Sequence, residues 1–107
     1  MTTPERDDEG YLYDPELWTP ELAEALAGEE GLELTPEHWI VVDFIRSWHD
    51  EHRITPDVRH AARHFADKVG VDKKAGKARL FELFPYGYVK QACKIAGMMR
   101  PRAWSTG

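Results

Sequence analysis

The 107-residue chain is long enough for one domain with a buried core and too short for two. Its 42% hydrophobic and 31% charged residues suit a globular protein in water; no apolar run approaches the ~20 residues of a membrane helix, and the acidic opening TTPERDDEG is unlike a signal peptide. The net charge of −5 hides two opposed halves: Met1 to His52 carry fifteen acids against Arg6 and Arg46, a balance of −13, whereas Arg53 to Gly107 carry twelve bases against four acids, a balance of +8.

In chain order, residues 1–8 show no hydrophobic pattern after Met1 and are expected as a disordered tail. EGYLYD is next, a short strand or hairpin remnant with Tyr11 and Tyr13 alternating onto one side. Thr19-Pro20-Glu21 opens a helix with a capping residue and a proline at the first helical position. Leu22, Ala25 and Leu26 mark its apolar face, and Gly28 and Gly31 close it.

Thr35-Pro36-Glu37 repeats the signal and launches the longest helix, PEHWIVVDFIRSWHDEHR. Trp39, Val42, Ile45 and Trp48 recur every three residues, and Ile40, Val41 and Phe44 widen the stripe, so this helix belongs at the centre of the core with its tryptophans as packing anchors. A third opening, Thr55-Pro56-Asp57, begins VRHAARHFADKVG, with Val58, Ala61, Ala62, Phe65 and Val69 as a narrow seam and Arg59, His60, Arg63 and His64 on the wet side. Gly70 ends it and Asp72 can cap KKAGKARLFELF, in which Gly76 is a weak point costing ~1 kcal/mol relative to alanine.

Pro85 and Gly87 punctuate the next boundary. Val89, Ala92, Cys93 and Ala96 then fall on one face of a last helix, with Lys90, Gln91 and Lys94 opposite. Gly97 is placed to cap it, and Pro101 stops any continuation, so residues 98–107 form an arm. The fold class is therefore mostly α: a compact orthogonal bundle of about five helices, with a helix-turn-helix-like element between Thr55 and Phe84, a small N-terminal β-hairpin remnant and a C-terminal arm.

The segment LFPYGYVKQACKIAG closely resembles the LFP-x-GP-x-KQA-x-x-IAG stretch of the DsrC/TusE family of small sulfur-relay proteins, linked to dissimilatory sulfite reductase and to tRNA thiolation. EGYL, LTPEHW and TPDVR resemble the family in the same order, so the likeness spans about residues 9 to 101 and implies a helical domain over 9–97. It also implies a mobile arm whose penultimate cysteine carries sulfur as a persulfide. Two departures stand out. Ten residues separate the helix and arm cysteines of the family, and that spacing counted from Cys93 reaches Trp104; Gly87-Tyr88 replaces the usual Gly-Pro. The chain starts eight residues before EGYL, so the first strand of the family's hairpin is expected to be absent.

Cys93, the single cysteine, is the one conventional nucleophile, and no intramolecular disulfide can form, which suits a reducing cytoplasm. Lys90, Lys94 and the arm's Arg100 and Arg102 would favour a thiolate, whereas the apolar face around Cys93 favours a buried structural thiol. In the family the helix cysteine is the arm cysteine's disulfide partner, which implies a place for Cys93 in sulfur acceptance. His60 and His64, and His49 and His52, have helix spacings that could grip an ion, but neither pair has a third ligand, so no metal and no cofactor are expected.

Arg59, Arg63, Lys73, Lys74, Lys77 and Arg79 could meet phosphates if the helix-turn-helix read DNA, although a solvated basic face is the simpler account and the acidic half opposes it. In the arm, Trp104 between arginines has the make-up of an interface anchor. The resulting expectation is a cytoplasmic, monomeric sulfur-metabolism protein that binds sulfur-relay or sulfite-reductase-type proteins through Lys90, Lys94, Arg100, Arg102 and Trp104. It would be a regulatory or competing homologue of the carrier rather than an independent catalyst. The alternatives are a persulfide carrier through Cys93 and a helix-turn-helix DNA-binding regulator.

Overall fold

The computed structural model describes residues 5–99, apart from the side chain of Val89. After a 3-10 turn at Pro15–Leu17 come α1 (Pro20–Glu29), α2 (Pro36–His52), α3 (Val58–Val69) and α4 (Lys73–Leu83), and the last helical segment, Tyr88–Cys93, is wound as a π-helix. The radius of gyration, 12.9 Å, is that of a compact domain of this length. None of these helices is long and apolar enough to cross a membrane.

Each of α1 to α4 begins at a side chain that caps its free backbone N–H groups, whereas the Tyr88–Cys93 segment has no side-chain cap. Thr19 Oγ1 accepts the Leu22 N–H at 3.1 Å. At α2 the residue that reaches back to the cap is a histidine: His38 Nδ1 accepts the Thr35 N–H at 3.0 Å, which leaves the ring proton on Nε2 to be donated to the Leu83 carbonyl at 2.9 Å. This buried ring therefore joins the start of α2 to the end of α4. The third opening differs from the sequence expectation. α3 is capped by Asp57, not Thr55, with the carboxylate accepting the His60 N–H at 3.1 Å, and Pro56 lies buried before the helix with its carbonyl free for a side chain.

α2 lies at the centre of the core, giving Val41, Val42 and Ile45 to a cluster that takes Leu26 from α1, Phe65 from α3, Leu80 from α4, and Tyr88, Ile95 and Met98 from the C-terminal segment. Trp39 is partly buried against this cluster. Trp48 instead anchors the outer seam of α2 and α3, between the rings of His52 and His60 at 4.4 and 4.7 Å. The face of α1 is rotated from the expected one: Ala23, Leu26 and Ala27 are buried and Ala25 is exposed.

Gly76 proves to be a contact rather than a weakness. A Cβ there would stand 2.5 Å from Ala66 Cβ, so the absence of a side chain lets α4 lie directly on α3.

The N-terminal segment corrects the strand expectation. The described residues hold one isolated antiparallel bridge, Arg6 to Leu12, and no strand. Asp7 Oδ1 accepts the N–H groups of Glu9 and Tyr11 at 2.9 and 3.0 Å, making a tight turn that buries Tyr11 and Leu12 together and leaves Tyr13 exposed. Arg6, placed in the tail by the sequence reading, makes a two-pronged ion pair with Glu29 at 2.9 and 3.0 Å.

Candidate functional site around Cys93

The residues LFPYGYVKQACKIAG fold into the interior. Gly87, at φ +107°, turns the chain after α4, and the π winding that follows bonds groups five residues apart instead of four. That winding explains why α-helical periodicity misplaces Gln91. It is fully buried, not on the wet face: its Oε1 accepts the Tyr86 N–H at 3.0 Å and its Nε2 donates to Glu30 at 3.2 Å. Lys94 reaches the other oxygen of Glu30 at 3.5 Å, so one carboxylate at the end of α1 holds the segment twice.

Tyr88 and Cys93 stand one π turn apart, and both are fully buried. The Tyr88 hydroxyl donates to the Pro56 carbonyl at 2.6 Å and also hydrogen-bonds Cys93. With its single proton committed to Pro56, the hydroxyl meets the thiol as an acceptor, and a thiolate would have to compete for that proton. Burial pushes the thiol up to about 12, against a smaller downward pull from Tyr88. Burial likewise raises the Tyr88 phenol. Among the described residues neither expected cation faces the thiol unpaired: Lys90 is exposed and Lys94 is engaged with Glu30.

Downstream, Gly97 at φ +79° ends the helix in a Schellman motif, with Gly97 N–H donating to Lys94 O and Met98 N–H to Cys93 O, each at 3.0 Å. The root of the expected arm is then gripped from outside. Trp18 Nε1 donates to Ile95 O at 2.8 Å, and Arg46 donates to Ala96 O at 3.2 Å and to Pro15 O at 3.0 Å while lying 4.5 Å over the Trp18 ring. Burial lowers the Arg46 guanidinium. A Cβ on Gly97 would fall 2.3 Å from the Trp18 ring. Met98, the first residue of the expected arm, is fully buried and Met99 is exposed.

Sequence reasoning missed Trp18, Arg46, Tyr88 and Gln91. The available signals were an arginine inside the apolar stripe of the longest helix, and Tyr88 at the position where the family motif has proline.

Among the remaining site residues, Lys90 and Lys94 line one shallow cleft of about 370 Å³ with Tyr11 and Tyr86. Arg59, Arg63, Lys73 and Lys77 come together in another; Lys74 does not line it, and Arg79 is held in a two-pronged pair by Glu37. Arg100, Arg102 and Trp104 lie outside the described residues. No metal-binding cluster of His, Cys, Asp and Glu occurs among the described residues.

The family model described as "DsrC like protein" matches residues 1–103. The chain is 42% identical to the sulfurtransferase TusE of Escherichia coli (strain K12) over 97 residues, 91% of this chain and 88% of that one. It is 43% identical to the TusE of Salmonella typhimurium over 95 residues, covering 89% and 86%. The fold is similar to the oxidized gamma-subunit of dissimilatory sulfite reductase (DsrC) from Archaeoglobus fulgidus, with a TM-score of 0.82, 32% identity, and 94% and 91% coverage. For DsrC of Allochromatium vinosum the TM-score is 0.77, with 39% identity over 92% of this chain and 88% of that one.

Proposed function

The chain belongs to the DsrC/TusE family, and from that membership we propose that it works in sulfur relay, with Cys93 as its one sulfur-accepting atom. The observation that carries this reading is the position of the chain's single thiol on the KQACKIAG segment of a fold shared with sulfurtransferases and with a sulfite reductase subunit. In the proposed step the Cys93 thiolate attacks the outer sulfur of a persulfide on a donor protein. The new S–S bond forms on Cys93, the donor's S–S bond breaks, and the donor leaves as a thiolate, with no net oxidation. The closed state resists this, because burial favours the protonated thiol over the thiolate. Acceptance therefore needs the Tyr88–Met98 stretch to open, and docking of a partner on Lys90, Lys94 and the arm residues Arg100, Arg102 and Trp104 would supply that opening.

A second reading is favoured by the burial of Cys93 and by Trp104 at the spacing where the family has its carrier cysteine. The chain would then dock on relay partners without delivering sulfur, as a competing homologue.

Intact-mass spectrometry of the reduced protein, after exposure to a persulfidated donor protein or polysulfide, separates the two. One added sulfur on the wild type and none on Cys93→Ser supports acceptance. No added sulfur after exposure to the persulfidated donor protein rejects it in favour of competition.

A further inference from the structure

A second surface lies away from the thiol. Arg59 and Arg63 on α3, and Lys73 and Lys77 on α4, are each four residues apart, so each pair points from one face of its helix. The contact at Gly76 presses those helices together, and the four cations line an open cleft of about 500 Å³ floored by Ala62. Like charges at this spacing repel, and little offsets them here. Arg63, Lys73 and Lys77 have no carboxylate partner among the described residues, and Arg59 reaches only Asp57, at 3.6 Å. By contrast Arg6, Arg53, Arg79 and Lys94 are each paired with a glutamate. The cleft is a concentrated positive site that the fold keeps unneutralised.

Its extent says what it fits. Further along α4, Arg79 is tied up by Glu37, and Asp57 and Asp72 stand as the N-caps of the two helices. The cations thus form one bounded cradle, not the long track that a phosphodiester strand follows. Guanidinium groups match carboxylates in two-pronged geometry and the lysines add point charges.

We propose that the cleft between α3 and α4 is the docking site for a short acidic segment, a run of Asp and Glu, on a partner protein.

The test uses the full chain and a fluorescein-labelled hexaglutamate peptide, followed by fluorescence anisotropy at about 0.15 M salt. Arg63→Glu and Lys77→Glu, both at exposed positions, should each weaken binding about tenfold, whereas Lys74→Glu, with the same change in charge outside the cleft, should change it less than about twofold. An RNA oligonucleotide of equal charge should bind more weakly than the peptide. Equal losses at Lys74 and Arg63, tighter binding of the RNA, or no peptide binding would each overturn the assignment. Circular dichroism of each variant confirms that the fold is kept.

Discussion

At Cys93 the surroundings favour the protonated sulfur over the charged one. The folded thiol is raised from 9.0 to about 12, so the folded chain holds this proton more tightly than the unfolded chain does. Stability is then full below pH 9 and falls between pH 9 and 12, by up to ~1.4 kcal/mol per pH unit. The raised Tyr88 phenol adds to the fall at the alkaline end. Urea unfolding of wild type between pH 8 and about 10.5 should show the loss, and Cys93→Ala should flatten it; parallel curves would mean that the thiol titrates in solvent. Tyr88→Phe leaves the Pro56 carbonyl without its donor and should lower stability by ~1–3 kcal/mol, measured the same way. Little of this was legible beforehand. Cys93 could be placed on an apolar face, but its lid is a hydroxyl five residues away in a winding that α-helical periodicity does not describe.

Among the helices, local signals were read well and contacts between helices were not. The caps at Thr19 and Asp72 and the stop at Gly97 depend on residues within a turn of each other, and they stand where the sequence put them. Gly76 depends on Ala66 across the α3/α4 contact, which no local rule reports. Helix propensity alone would make Gly76→Ala stabilising by ~1 kcal/mol. The 2.5 Å approach to Ala66 predicts the reverse, a loss of ~1–3 kcal/mol as α4 is pushed off α3, seen as a lower urea midpoint. A gain would show that the helix pair has room to relax. Gln91 teaches the same lesson, because one extra residue in the turn exchanges its wet face for a buried one.

Across the whole molecule the opposed charge halves are stitched to each other. Glu37 with Arg79, Glu30 with Lys94 and Glu16 with Arg53 each join an acid of the first half to a base of the second. The Glu37–Arg79 and Glu16–Arg53 pairs are exposed or half-exposed, so each is weak and screened by salt, whereas Glu30–Lys94 is more sheltered. Raising NaCl from about 0.05 to about 0.5 M should lower the urea midpoint slightly, and less so in Glu37→Gln; an equal fall in both would take Arg79 and Glu37 out of the account. The family fold could be read from the sequence because its motifs run along the chain; the contacts made by Trp18 and Arg46 could not, because their partners lie some fifty to eighty positions away. Those contacts also bear on how such a chain can change over evolutionary time. Trp18 and Arg46 hold main-chain oxygens of Ile95 and Ala96, which every amino acid possesses, and no side chain beyond Gly97 takes part in those bonds. These two bonds thus place no demand on the side chains that follow. Side chains beyond Met98 can be exchanged over generations without breaking this grip on the main chain.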